Sequence, residues 1–118
     1  MDATSTHTWG MVDRLVRERM YREAVELIDQ MTGPGREGVP LLVEKARLIL
    51  EANDPAMPIR EAGACLESAL LLDRENTEVL CLLARFYTVV CPDLRKTQEY
   101  ESSFSGLIRK KRILRHVI

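Results

Sequence analysis

The sequence contains few of the residues from which catalytic and metal sites are built. It has only two histidines, His7 and His116, which lie near opposite ends of the chain, and its three cysteines include no C-x-x-C pair. The phosphate-binding G-x-x-x-x-G-K-[ST], zinc-binding H-x-x-x-H and hydrolase G-x-S-x-G motifs are also missing. Catalysis requires convergent groups with shifted pKa values. We therefore expect a protein that is not an enzyme, with no catalytic residue, no metal site and no cofactor.

Long apolar runs are absent as well. No window approaches the roughly 20 apolar residues of a membrane helix. Residues 1–9 contain no apolar run, lysine or arginine, so no signal peptide is predicted. The sequence also lacks the two-residue alternation and hairpin turns that mark β-strands. These absences predict an all-α protein in the cytoplasm, without a membrane partner.

The cysteines give no pattern of a disulfide framework, because their number is odd. We expect all three to be reduced thiols. Cys65 and Cys81 fall in apolar helical runs, which predicts small, buried side chains. Cys91 precedes Pro92 at a predicted turn, where a positive neighbour or a helix N-terminus would lower the pKa of its thiol.

Apolar residues recur at helical spacing after a polar segment, residues 1–7, that we expect to be frayed. Two amphipathic helices come first, and the second is predicted to end at residues 33–35, a Gly-Pro-Gly sequence. A third helix is predicted from 38 to 53, with Pro40 in its first turn. A fourth is predicted from 59 to 73. The short loops imply that successive helices are antiparallel neighbours.

The fifth helix is predicted to begin after Asn76, whose side chain can accept a hydrogen bond from a free backbone N–H. This helix should end near Cys91, and Pro92 suits the first position of a sixth helix. The pattern weakens beyond that point. One or two further helices are predicted there, with a break at Ser105-Gly106.

An internal repeat relates the third and fifth helices. At an offset of about 34 residues, the tetratricopeptide period, matching residues coincide in three pairs: Glu44 with Glu78, Ile49 with Leu83, and Pro58 with Pro92. Helix pairs that cannot bury their apolar faces alone must stack on one another. The repeat therefore favours a stack of helix pairs over a closed bundle.

The residues themselves resemble the tetratricopeptide repeat (TPR) family. Residues 62–73, AGACLESALLLD, resemble the second helix of a repeat and its exit, with Ala62 and Ala69 at the two small positions. Residues 21–24, YREA, resemble the hairpin that leads into a second helix. The family's first-helix pattern of large, large, small and aromatic residues is matched by Leu80, Leu83, Ala84 and Tyr87. Lys96 departs from the pattern, because the family has alanine there.

This resemblance implies an architecture and a binding surface. Three antiparallel helix pairs would stack as a short right-handed solenoid with a C-terminal capping helix. The single domain would cover residues 8–118, with a basic C-terminal helix or tail from about residue 106. In this family the first helix of each pair lines a concave, protein-binding groove. By register, the lining positions are Trp9, Asp13, Glu44, Arg47, Glu51, Glu78, Cys81, Arg85 and Thr88.

Charge is concentrated at the C-terminus although the net charge is only −1. The last ten residues hold five basic and no acidic residues, whereas the first 108 hold 12 basic and 18 acidic residues. We call these five the basic tail: Arg109, Lys110, Lys111, Arg112 and Arg115. Its roles, in the order we favour them, are a capping helix, contact with an acidic partner or a second copy, and contact with RNA or anionic membrane.

The function implied by the TPR resemblance is non-catalytic protein binding, as an adaptor or a small chaperone that holds a segment of another protein. Two alternatives belong to other classes. One is a nucleic-acid or ribonucleoprotein cofactor that acts through the basic tail, although nucleic acid is the less favoured partner. The other is a homo-oligomeric structural unit, such as a homodimer.

Overall fold

The computed structural model describes the backbone of residues 3–31 and 38–117, and the side chains of residues 9–31 and 38–115. Helices and no strand are found in this part of the chain, which confirms the all-α prediction. In chain order they are α1 (Ala3–Arg17), α2 (Tyr21–Met31), α3 (Gly38–Ala52), α4 (Arg60–Leu72), α5 (Thr77–Arg85), a π-helical turn that continues α5 (Phe86–Val90), and α6 (Leu94–Val117).

Some predicted features lie outside the described residues, namely the break at residues 33–35 and the side chains of His7 and His116. Within the described helices, none combines the length and the apolar character needed to cross a membrane.

Local chemistry sets several helix ends where the sequence predicts them. Pro40 lies in the first turn of α3, where its missing N–H removes no helical bond. Asn76 caps α5, since its side-chain oxygen accepts a hydrogen bond from the Val79 N–H at 3.0 Å. The bounds of α3 and α4 agree with the predicted helices to within about one residue at each end.

The starts of the first and last helices differ from the prediction. α1 begins at Ala3, inside the segment expected to be frayed, and neither proline nor glycine interrupts it before residue 10. α6 begins at Leu94, so the placement of Pro92 at its first position was wrong. Asp93 supplies the cap instead, because its carboxylate accepts a hydrogen bond from the Lys96 N–H at 3.2 Å.

α6 is a single helix of 24 residues that runs through Ser105-Gly106 without the predicted break. One glycine in a helix interior costs only about 1 kcal/mol relative to alanine. The packing of the half-buried Leu107 and Ile108 can offset that cost. The basic tail is therefore the C-terminal part of α6 and not a separate capping helix.

The helices pack mainly against their neighbours in chain order, from α1 on α2 through to α5 on α6. The core between them holds fully buried large side chains, among them Ile28, Leu48 and Leu83. Ala24 and Ala62, small residues of the two segments that resemble TPR second helices, are also completely buried. Each allows close approach of a neighbouring helix, because a larger side chain would push the two apart.

The turn between α1 and α2 rests on one left-handed residue. Arg19 has φ of 59°, a conformation that favours glycine. Two backbone hydrogen bonds close the end of α1 around it: Arg19 N–H donates to the Val16 carbonyl at 3.0 Å, and Met20 N–H donates to the Leu15 carbonyl at 2.8 Å. This is the Schellman arrangement, and it sets the direction in which α2 leaves the turn.

Candidate functional site

An open groove of about 420 Å³ runs between α5 and α6. We call it the α5–α6 groove. The side chains that line it are Cys81, Ala84, Arg85, Thr88 and Val89 from α5 and its π turn, and Glu101, Phe104 and Ser105 from α6. Residues spaced three and four apart share one helix face, so each helix presents one stripe to the groove.

Two side-chain contacts fix how α5 and α6 lie alongside each other. Near one end, Thr88 Oγ1 lies 3.3 Å from Thr97 Oγ1. At the other end, Lys110 Nζ lies 3.4 Å from a carboxylate oxygen of Glu75, which is in the turn just before α5. In two antiparallel helices, a step back along one helix matches a step forward along the other. Three residues before Thr88 and three residues after Thr97, position 85 therefore lies level with position 100, one residue from Glu101. Opposite charges therefore stand at nearly the same height on the two walls of the groove.

The groove combines exposed apolar surface with one charge of each sign. Val89 is 71% exposed. Phe104 and Ala84 are half-buried beside it. Arg85 and Glu101 are exposed, and neither makes an ion pair with another described residue. Such a surface suits a partner with apolar side chains flanked by complementary charges.

Three of the predicted lining residues, Cys81, Arg85 and Thr88, come together in this groove. The exposure of Cys81 contradicts its prediction as a buried core residue. Its position on α5 faces the open groove, whereas the apolar run around it suggested the core. The same prediction is confirmed for Cys65, whose thiol has a raised pKa because of burial.

The three predicted residues on α3 form a ladder of their own. Arg47 donates hydrogen bonds to Glu44, including one of 3.1 Å from its Nε, and lies 2.5 Å from a carboxylate oxygen of Glu51. The hydrogen bond to Glu44, then the negative charge of Glu44 and the hydrogen bond to Glu51, raise the pKa of the Arg47 guanidinium. These charges are satisfied within one helix, so a partner would have to displace existing contacts to reach them.

The remaining predicted groove residues lie elsewhere. Glu78 borders a second depression of about 380 Å³, whose wall includes Val39 and Val43 of α3. Trp9 is half-buried and packs against the core through α1. Asp13, also on α1, is exposed.

All five residues of the basic tail are exposed on α6. Lys110 makes the ion pair with Glu75 already described, with more than half of each side chain exposed. By the register of α5 and α6, the helix beyond Lys110 extends past the start of α5. Ile113 and Leu114 on this extension are 56% and 49% exposed.

One cluster of side chains was missed by sequence reasoning. The Tyr87 hydroxyl donates a hydrogen bond to the Glu67 carboxylate, and Lys96 Nζ lies 3.3 Å from both groups. Lys96 also lies 4.6 Å from the centroid of the Tyr87 ring, a cation–π contact. The Tyr100 ring stacks on Tyr87 with centroids 6.0 Å apart. Since the four residues come from α4, the π turn and α6, only the folded chain brings them together.

The titration behaviour of the tyrosines follows from this packing. Burial, and then the hydrogen bond to Glu67, raises the pKa of Tyr87. Burial, and then the negative charges of Glu67 and Glu99, raises the pKa of Tyr100 to about 12. Both phenols are therefore neutral at physiological pH. The cluster fastens the start of α6 to α4, which is a structural task rather than a chemical one.

Within the part of the chain that is described, no three His, Cys, Asp or Glu side chains stand close enough to hold a metal ion. No protein-family model, curated protein or solved structure matches the chain. The TPR resemblance therefore rests on the residues of this sequence alone.

Proposed function

We propose that this chain is a non-catalytic protein-interaction module, a TPR-like adaptor or small chaperone, and that it binds in the α5–α6 groove. The observation that carries the proposal is the composition of that groove. It exposes Val89 and part of Phe104 between the charges of Arg85 and Glu101, neither of which forms an ion pair with another described residue. Cys81 and Thr88, which the TPR register assigns to a binding surface, complete one wall.

A short TPR-like solenoid is the architecture that fits this proposal. Packing of each helix on its neighbour in the chain supports it. The complete burial of the small residues Ala24, Ala62 and Ala69 supports the same arrangement.

The groove suits a helical ligand. Two antiparallel helices form a trough, and an amphipathic helix can lay apolar residues at positions i, i+3 or i+4, and i+7 along it. Val89 and Phe104 would contact that apolar stripe. Arg85 and Glu101 would select a ligand that carries a complementary charge on each side. A small chaperone would use the same contacts to cover an aggregation-prone segment.

Affinity capture from the native source with two matched variants tests the proposal. Val89→Asp places a charge in the groove, whereas Leu71→Asp places the same charge on α4, at a side chain of similar exposure, 68%, that does not line the groove. We expect proteins captured by the wild-type chain to be lost with Val89→Asp and retained with Leu71→Asp. Identical captured proteins for all three chains would overturn the proposal.

Of the two arginines predicted to line the groove, Arg85 is the better site for charge reversal. Arg47→Glu would place three carboxylates together on α3, so a loss of binding could come from damage to the helix. Arg85→Glu disturbs no ion pair among the described residues and changes the groove directly. It is therefore the cleaner probe of ligand charge.

A second candidate function is nucleic-acid binding through the basic tail. The observation that favours it is that Arg109, Lys111, Arg112 and Arg115 are exposed and form no ion pair with described residues. Binding would weaken steeply with salt, because phosphate contacts release counterions. A Lys111→Glu/Arg112→Glu variant that binds a polyanion column as well as the wild type would exclude this role. Truncation after Ser105 is a poorer test, since it would remove the half-buried Leu107 and Ile108.

A further inference from the structure

The charges of the α5–α6 groove are complementary to those of a second copy of the same groove. Arg85 stands on the α5 wall, and Glu101 stands on the α6 wall at nearly the same height. Neither charge is neutralised by an ion pair with a described residue. A partner that neutralises both must offer an acidic group opposite α5 and a basic group opposite α6.

Two copies can meet face to face through this groove in two ways, and the charges distinguish them. A two-fold axis perpendicular to the helices sets α5 against α5 of the second copy, which brings arginine to arginine and glutamate to glutamate. An axis parallel to the helices sets α5 against α6 of the second copy. Arg85 then meets Glu101 of the second copy, and the reverse pair forms by symmetry.

We infer that the ligand of the α5–α6 groove is a second copy of this chain, docked about a two-fold axis parallel to α5 and α6. The inference rests on the proposed function and names its partner. Val89 and Phe104 of each copy form the apolar centre of the interface, with Arg85–Glu101 pairs on both sides. A two-helix face about 20 Å across is small for a permanent dimer, so dimer formation should depend on concentration.

Charge reversal with mixing tests this geometry in the full chain. In the Arg85→Glu variant, positions 85 and 101 both carry acidic groups. In the Glu101→Arg variant, both positions carry basic groups. Each variant alone should dimerise at least about tenfold more weakly than the wild type, because like charges oppose one another. An equimolar mixture should recover the dimer, since every contact between the two variants joins opposite charges. Sedimentation velocity over a range of concentrations measures all four samples.

Matched controls remove the effect of overall charge. Arg74→Glu lies in the exposed turn before α5, and Glu99→Arg is exposed on the opposite side of α6 from Glu101. These variants should dimerise like the wild type, alone and mixed. Circular dichroism confirms that each variant is folded before it is compared.

The outcomes separate this inference from the proposed function. A wild-type chain that stays monomeric at every concentration overturns the second copy as the ligand, and the Val89→Asp capture experiment still decides whether the groove binds another protein. A wild-type dimer that both variants retain, or a mixture that fails to recover it, overturns the two-fold arrangement.

Discussion

The backbone of Gly63 in α4 lies directly against the ring of Phe86, where α5 passes into its π turn. A Cβ atom at position 63 would lie 2.5 Å from Phe86 Cε1 and 3.1 Å from the Tyr87 hydroxyl oxygen. Real Cβ atoms essentially never approach another atom to 2.5 Å. Glycine is therefore required here for close packing of the two helices, and the same close approach brings the Tyr87 hydroxyl next to α4.

Gly63→Ala should destabilise the fold by about 1–2 kcal/mol. Overpacking a core costs about 1–3 kcal/mol, and replacing a helical glycine with alanine recovers up to about 1 kcal/mol of that. Phe86 is 3% exposed, so its ring has little space into which to move. Urea unfolding measures the change in the free energy of unfolding.

Gly106→Ala is the control for this prediction. Nothing lies within 4 Å of a Cβ at position 106, which is also helical. The same substitution should therefore stabilise the protein by up to about 1 kcal/mol. Opposite signs at positions 63 and 106 are expected, and stabilisation at both would show that the contact with Phe86 imposes no constraint.

Lys96→Ala should destabilise the protein, although alanine is the residue that the TPR pattern prefers. The substitution removes the cation–π contact with Tyr87 and the ion pair with Glu67. At a partly exposed site these contacts contribute about 0.5–1 kcal/mol in all. Gln98→Ala, two residues away on an exposed position of α6, should change stability by less than about 0.5 kcal/mol. Thermal unfolding of both variants at equal concentration makes the comparison.

Stability should fall at alkaline pH through Tyr100. Its pKa is about 12 in the folded state, against an ordinary value of 10.0, so the folded chain keeps a proton that the unfolded chain releases. The contribution of Tyr100 is therefore fully present below pH 10 and is lost as the pH rises towards 12. Tyr100→Phe keeps the ring and removes this titration, so its stability should fall less steeply between those pH values. Parallel curves for the two proteins would contradict the assignment.

Arg19→Gly should stabilise the protein by about 0.5–1 kcal/mol, because the left-handed conformation at this position strains any residue with a Cβ. Arg19 makes no ion pair with the described residues that the substitution would lose. Glu26→Gly, in the interior of α2, should instead destabilise by about 1 kcal/mol. Chemical denaturation of both variants checks the opposite signs.

Features with a local cause could be predicted from the sequence. The cap at Asn76 depends on one side chain and a backbone N–H three residues away, and the burial of Ala62 follows from the helical periodicity around it. The continuity of α6 through Gly106 could not be predicted, because a lone glycine can either end a helix or lie within one. Packing against α5 decides between the two.

The candidate site could be predicted only in part, for the same reason. The repeat register identified Arg85 and Thr88 on one wall of the groove, because Thr88 lies one turn beyond Arg85, in the π turn that continues α5. Glu101 and Phe104 form the other wall, and which face of α6 meets α5 depends on tertiary contacts such as that of Thr97 with Thr88. The register also placed Cys81 on this wall, whereas the apolar residues around it in the sequence suggested a buried side chain, because they do not reveal an open groove.

The reactivity of the Cys81 thiol tests most directly whether protein covers the α5–α6 groove. Cys81 is exposed on the groove wall, Cys65 is buried, and a Cys91→Ser background removes the half-buried third thiol. The rate of alkylation would be measured in dilute solution, in concentrated solution and in extract from the native source, each relative to the same background carrying Val89→Asp. We predict that Cys81 is protected from alkylation in concentrated solution, in the extract, or in both. The Val89→Asp substitution should abolish this protection. Equal rates in all three conditions would contradict a protein-binding role for this groove.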